Sequence, residues 1–451
     1  MTDGFPRIRT ADILSALSYA LDLTEGQPMG HSVRTCLIAM KIGKVLGLSD
    51  EEQRDLYFAS LLKDAGCSTN SVRIQKIFGG DELISKRNVK LIDWSSNLES
   101  IKYAFANTER DGNLLTKLST MLKSLGPPTK VMDEVTKARC SRGAKIALEL
   151  GFGQRVADAI YNLDEHWDGR GSHEHKSGEA IPMLARILCL SQTLEVLYQT
   201  FGLGEALEIV KKRTGTWFDP QVTFAALSTE TDSAFWMEVG EMARTSALRI
   251  ETPATMEYAS EAHVDHICTA FASIIDAKST FTGEHSTRVT QYACELGIAL
   301  GFDKERQTAL RRASLLHDIG KLGVSNAILE KNGPLNDAEF VAVKKHPYYT
   351  QQILQQISGF ERITDIAAAH HERLDGRGYF RGMDASVLDT DMRIVAVADV
   401  FDALSAKRPY RDALPMAKVF EIMEKDAGQA LDAECVGVLR DMYGSEVRLA
   451  A

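Results

Sequence analysis

Hydrophobic positions recur at intervals of three and four along nearly the whole chain. From Ile267 to Ile275, through Glu305–Leu316 and through Val343–Ile357, apolar residues return at helical spacing. Alternating runs rich in Val and Ile and bounded by turn residues are scarce, so the pattern predicts an all-α fold. At 451 residues the chain exceeds what one core usually holds, and two domains are expected.

The sequence also repeats itself. Gly30-His31-Ser32-Val33-Arg34 returns as Glu284-His285-Ser286-Thr287-Arg288. Each His is followed 33 residues later by an Asp, in Leu62-Lys63-Asp64-Ala65-Gly66 and in Leu316-His317-Asp318-Ile319-Gly320, at a common offset of 254. Asp168-Gly-Arg-Gly171 and Asp375-Gly-Arg-Gly378 match at an offset of 207, so the first copy carries 47 additional residues, within Ile74–Val135. Gly215-Thr-Trp-Phe-Asp219 pairs in turn with Gly428-Gln-Ala-Leu-Asp432. Matches that keep their order imply two tandem copies of one helical domain, assigned to 1–250 and 251–451. The junction is expected near Arg249–Ala259, where Thr252-Pro253 interrupts the helical pattern.

Composition narrows the classes of function. A formal charge of −10 argues against non-specific binding to duplex nucleic acid, which needs a basic face, but leaves room for a small anionic ligand. No apolar stretch reaches the roughly 18 residues of a membrane span, and the first ten residues lack the apolar segment of a secretory signal. Seven scattered cysteines without a CxxC pair read as reduced thiols. A cytoplasmic chain is expected.

The chemistry concentrates in the second copy. Seven of the eleven histidines follow residue 260, and five of them stand in short apolar-flanked motifs together with two aspartates. His317-Asp318 follows a helical stretch, His370-His371-Glu372 ends the stretch Ile363–His371, and Asp399 lies inside Ile394-Val-Ala-Val-Ala-Asp399-Val400; His285 and His346 complete the set. A single helical His is usually a core or capping residue, and a single apolar-flanked Asp a satisfied buried carboxylate. Seven together, each on or beside an apolar helix face, would be costly to bury without a shared partner. Imidazole with carboxylate suits divalent iron, manganese, zinc or nickel.

These motifs, in this order and with Asp375-Gly-Arg-Gly-Tyr379 between them, resemble the HD-GYP branch of the HD phosphohydrolases over Ala262–Ala451. The resemblance implies a phosphodiesterase that opens a cyclic dinucleotide, cyclic di-GMP or a relative such as cyclic GMP-AMP, with two divalent ions, typically iron or manganese. It implies that Asp318 bridges the ions, with His285, His317 and Asp399 on one and His346, His370 and His371 on the other. Paired cations about 4 Å apart would let water supply hydroxide near neutral pH and would hold the phosphate oxygens during in-line attack. Lys321, Arg408, Arg411 and Tyr379 would contact the substrate, Lys321 beside the reacting phosphate and the arginines as bidentate phosphate forks. The ordinary alternative for the arginines is a solvated surface.

Two positions depart from the family pattern. Phe380 stands where the naming triplet ends in Pro, which would fix φ, so an altered substrate-side loop is expected. Phe281 stands where three-metal members carry a Glu, which favours two metals. In the first copy His31 and Asp64 persist, but Lys63 replaces the His of the pair. Leu163, Asp164 and Gln192 replace His370, His371 and Asp399, and no His stands at the place of His346. His166, His173 and His175 fall in a polar loop. The first domain is therefore expected to be non-catalytic and to serve packing, dimerisation or ligand sensing. Two other readings stay open: hydrolysis of a nucleotide monoester, and a catalytically silent binding module.

Overall fold

The structure, a computed structural model, describes residues 7–70, 82–89, 91–92, 128–241, 257–278, 284–331, 333–407 and 412–444. The chain divides into two compact units, Arg7–His263 with Ser325–Ala327, and Val264–Val324 with the chain from Ile328 onward. That division lies somewhat beyond residue 250, in the first turn of the helix Glu261–Asp276. The fold is all-α: among the described residues there are isolated β-bridges but no strands.

The first unit runs through α1 (Thr10–Thr24), α2 (His31–Val45), α3 (Asp50–Leu62), α4 (Glu82–Val89), α5 (Pro128–Glu149), α6 (Gln154–Tyr161), α7 (Met183–Phe201), α8 (Leu203–Lys212), α9 (Pro220–Leu227) and α10 (Ser233–Glu241). The second contains α11 (Glu261–Asp276), α12 (His285–Ala299), α13 (Lys304–Leu316), α14 (Asp337–Val343), α15 (His346–Leu354), α16 (Glu361–Ala368), α17 (Thr390–Ser405), α18 (Met416–Asp426) and α19 (Ala433–Tyr443).

Short polar side chains set where these helices begin. Asp303, Asp389 and Asp432 each accept a backbone N–H of the first turn they precede, so donors that lack an intrahelical partner are satisfied locally. In the second unit α12 packs on α13 and α17, α13 packs on α16, and α15 packs on α16 and on the 3-10 turn Ile319–Gly323. Leu310, Leu316, Ile319, Ile353, Phe360, Ile366, Val397 and Phe401 close the core without solvent exposure.

The sequence repeat is a repeat of partners. Asp22 accepts from Ser32 N and Oγ, as Asp276 does from Ser286 N and Oγ. Arg186 binds Asp219 and Arg393 binds Asp432, the aspartates that cap α9 and α19. Gly66 and Gly320 mark the same crossing. A Cβ on Gly320 would stand 2.0 Å from His346 O, and one on Gly66 1.9 Å from Arg139 O, so only glycine permits either approach.

Two local expectations differ from the structure. The pattern Val343–Ile357 is not one helix, because α14 ends at Val343 and α15 begins at His346, with Pro347 in its first turn. Proline has no N–H to give to a preceding turn, so it starts a helix rather than continuing one. Similarly, α16 ends at Ala368, which places His370 and His371 in the turn beyond it rather than on the helix.

Candidate metal centre

The second unit gathers all seven residues of the expected ligand set. His317 is the last residue before α13 unwinds, and Asp318 opens the 3-10 turn behind it. His285 and His346 each begin a helix, Asp399 lies on the inner face of α17, and His370 and His371 follow α16. Ligand atoms of His285, His317 and Asp399 lie within 4.8 Å of one another, as do those of His346, His370 and His371, and those of His317, Asp318 and His370. Asp318 stands between the groups. Its Oδ2 is 3.5 Å from His285 Nε2 and 3.4 Å from His317 Nε2, whereas Oδ1 is 3.4 Å from His346 Nε2 and 3.5 Å from His370 Nε2.

Hydrogen bonds at the opposite ring nitrogen aim these imidazoles. Nδ1 of His317, His346 and His370 donates to the carbonyls of Ser314, Val343 and Ala367 at 2.7, 2.7 and 2.6 Å. His285 Nδ1 instead meets Asp402 Oδ2 at 2.7 Å, and Asp402 is itself held by Arg288. In His317, His346 and His370 the proton on Nδ1 leaves Nε2 to present a lone pair to the interior. The fit to a cation is visible in two places. His317 Nε2 is buried and makes no hydrogen bond. Nε2 of His346 and His370 approach to 2.9 Å, although both Nδ1 atoms are donors; a shared cation reconciles two lone pairs at that distance.

The electrostatics match a cation site. Burial would raise the Asp318 carboxyl, but the Lys321 ammonium and the neighbouring His317, His285 and His370 rings hold it well below the usual range. Asp399 is also held well below, burial being outweighed by His285. Burial pushes His317 down to about 4 and keeps His346 and His371 well below the ordinary imidazole value, so these rings are neutral at pH 7. His285 runs the other way: burial is outweighed by hydrogen bonds with Asp318, Asp399 and Asp402, and its pKa lies well above the ordinary value. The chamber thus holds two ionised carboxylates, the neutral rings of His317, His346 and His371, and a protonated His285 between its carboxylates. A bound cation would displace that proton; imidazole with carboxylate is a donor set for divalent first-row metals.

Of the expected substrate contacts, Lys321 sets its Nζ 2.5 Å from Asp318 Oδ2 with the side chain 20% exposed. The Tyr379 ring lies 4.6 Å from that of His371. Arg408, Arg411 and Phe281 lie outside the described residues. Sequence reasoning passed over Asp402 and gave Glu372 no role. Asp402, three residues after Asp399 and on the same helix face, orients His285. Buried Glu372 accepts from the N–H groups of Arg381 and Met383 at 2.7 and 3.0 Å and shapes the loop after Gly378.

The first unit keeps the scaffold and replaces the candidate metal ligands. His31 and Arg34 bind Glu195 as His285 and Arg288 bind Asp402. Lys63, fully buried at the His317 position, pairs with Asp64. The place of His346 is taken by Arg139, which pairs with Asp164 and approaches Glu25 at 3.8 Å. Lys86 lies 3.2 Å from Glu25. Glu25, Asp64 and Cys67 do converge within 4.8 Å, but three tethered cations already neutralise that cluster. His175 is bound to Gly171 O and lies near Asp133, and no group containing His166, His173 or His175 forms a ligand set among the described residues.

A duplicated helical fold that gathers, among the described residues, one chamber of His and Asp side chains fit for divalent metals matches the architecture of metal-dependent phosphohydrolases. The chain belongs to the HD domain family, whose model matches residues 81–222 and 269–435, once in each copy. It is 41% identical over 431 residues to the 3'3'-cGAMP-specific phosphodiesterase 3 of Vibrio cholerae, covering 95% of this chain and 94% of that one. The 3'3'-cGAMP-specific phosphodiesterase 1 of the same organism is 32% identical over 67% of this chain and 73% of its own length. A crystal structure of a cyclic GMP-AMP-specific phosphodiesterase of Vibrio cholerae matches with a TM-score of 0.68 at 37% identity, over 97% of this chain and 98% of that one. No helix among the described residues is long and apolar enough to cross a membrane.

Proposed function

We propose that this protein is a metal-dependent phosphodiesterase that opens a cyclic dinucleotide to a linear product, with 3'3'-cyclic GMP-AMP its preferred substrate. The observation that carries the reading is the division of Asp318, one oxygen toward His285 and His317, the other toward His346 and His370. That geometry fits a carboxylate bridging two cations. His285, His317 and Asp399 would hold one ion, and His346, His370 and His371 the other. Bound divalent ions, iron or manganese in this reading, supply electrophilic activation of a phosphate and lower the pKa of water.

The remaining work falls to the protein's own groups. The carbonyls of Ser314, Val343 and Ala367 keep His317, His346 and His370 in one tautomer, and Asp402 orients the His285 ring. Lys321, partly exposed above Asp318, stabilises charge developing on the phosphate. Arg408 and Arg411 would grip a second phosphate. The preference for cyclic GMP-AMP rests on similarity along nearly the full chain to a phosphodiesterase named for it. The first unit would serve as a non-catalytic partner domain and a surface for homodimerisation.

The test is incubation of purified protein and Mn²⁺ or Fe²⁺ with a panel of cyclic dinucleotides, products being separated by chromatography. Linearised product, greatest for 3'3'-cyclic GMP-AMP, is expected. Release of phosphate from nucleotide monoesters with every cyclic dinucleotide intact would replace this reading.

A further inference from the structure

Beside the metal chamber the second unit carries aromatic residues that its packing does not require. Phe340 is 47% and Tyr348 44% exposed. Phe340 stands on α14, and Tyr348 lies two residues into α15 from His346. Between them Lys344 places its Nζ 4.5 Å from the centre of the Phe340 ring and 5.3 Å from that of Tyr379. The Phe380 ring lies 5.8 Å from Tyr348 at 64°, with the Arg381 guanidinium 5.7 Å away. Through Tyr379 this rim reaches the His346 and His371 rings.

Phe380 adopts its position at a cost. Its φ is 96°, a left-handed conformation that bulky side chains rarely take. Proline, locked near −65°, could not occupy it. The departure from Pro therefore goes with a different loop, one that turns an aromatic ring toward Tyr348.

The first unit provides an internal control. It retains the devices that build the fold, Asp22 for Asp276, Glu195 for Asp402, Glu165 for Glu372 and Gly66 for Gly320. At the offset of 207 its residues opposite the rim are Asp133 for Phe340, Ser141 for Tyr348, Ser172 for Tyr379, His173 for Phe380 and Glu174 for Arg381. Lys344 is kept as Lys137, but the face of Phe340, Tyr348 and Phe380 is absent from the copy that lacks the metal ligands, while the scaffold is present in both. Packing does not explain that pairing; a ligand held at the chamber does.

We propose that Phe340, Tyr348 and Phe380 form the surface on which a purine base of the substrate stacks, Lys344 and Arg381 supplying positive charge at its edge. The inference rests on the cyclic-dinucleotide reading above. Aromatic faces bind bases broadly, and adjacent cations favour the negative charge of the neighbouring phosphates.

The test compares wild type with Phe340→Ala, Tyr348→Ala and Phe380→Gly; glycine accepts the positive φ, so the last variant keeps the loop. Each is assayed on 3'3'-cyclic GMP-AMP and on methyl p-nitrophenyl phosphate, a phosphodiester without a purine. On the cyclic dinucleotide, kcat/KM should fall about tenfold or more, mainly through KM. Turnover of the simple diester and metal content should stay at wild-type level, and Tyr348→Phe should restore the loss. Equal falls on both substrates, or unchanged kinetics on the cyclic dinucleotide, would overturn the platform. A wild-type enzyme that cleaves only the simple diester would instead remove the cyclic-dinucleotide reading and the platform with it.

Discussion

Replacing Gly320 by alanine adds one carbon where the structure has no room. The new Cβ would stand 2.0 Å from His346 O, 2.9 Å from His346 C and 2.8 Å from Thr350 N. All three are backbone atoms, so no rotamer change relieves the contact. To regain even 3.0 Å from the oxygen, the start of α15 must withdraw by at least 1.0 Å. His346 is the first residue of that helix, and its imidazole travels with it. Metal sites tolerate errors of about 0.2 Å in ligand position, so the ion on the His346 side should be lost. Overpacking of this kind costs about 1–3 kcal/mol of stability. Gly66→Ala is the matched control: its Cβ would meet Arg139 O at 1.9 Å in the unit without the ligand set. Elemental analysis and thermal melting of both variants separate the effects. Both should melt earlier, and only Gly320→Ala should lose metal and turnover. A Gly320→Ala protein with full metal content and wild-type kcat would refute the claim that this crossing positions His346.

Other outcomes follow from the buried charges. Lys63→Met strands Asp64 without its ammonium, which should cost about 3–5 kcal/mol and lower the melting temperature of the first unit by roughly 10 °C; a shift within about 2 °C would contradict the pairing. Burial raises the Asp22 carboxyl from 3.8 to about 7. The folded protein therefore keeps a proton that the unfolded chain releases, and this contribution, fully present below pH 3.8, fades as pH rises through about 7. Urea midpoints at pH 5 and pH 8 should differ less in Asp22→Asn than in wild type, and an equal difference would count against the assignment. Asp402→Ala removes the partner that orients His285 and should weaken metal affinity about 10- to 100-fold, read by competition with a chelating dye; unchanged affinity would argue that the Asp402 bond is merely structural.

Much of this was legible in the sequence because it is periodic or repeated. Helical spacing announced an all-α fold, and the offsets of 254 and 207 aligned partners as well as motifs, since Glu195 and Asp402 hold matching His–Arg pairs. The seven candidate ligands were legible because His and Asp in apolar surroundings demand an explanation. The break before His346 was missed because apolar spacing runs through it, while the signal lay in Pro347. The C-terminal end of α16 was placed too late for a related reason: His370 binds Ala367 O through its ring, a contact that spacing does not encode. Arg139 as the counterpart of His346 follows from the offset of 207, and the matching crossings at Gly66 and Gly320 bear that alignment out. Phe380 was legible as a departure from the family pattern that sets an aromatic face on the substrate-side loop. Phe340 and Tyr348 escaped notice because they are distant from it in sequence and meet it only when α14, α15 and the loop after Gly378 come together.

The central claim is that one chamber, in the second unit, performs the chemistry through the carboxylate of Asp318. Its most direct measurement is the rate of 3'3'-cyclic GMP-AMP hydrolysis by wild type, Asp318→Asn and Asp64→Asn, each loaded anaerobically with Fe²⁺ or Mn²⁺ and analysed for metal. Asp318→Asn should lose metal and all detectable turnover, because neutralising the shared carboxylate removes charge from both cation positions. Asp64→Asn, altering the matching residue where Lys63 already stands, should keep wild-type metal content and turnover nearly intact. Equal losses in the two variants, or full activity in Asp318→Asn, would contradict the account.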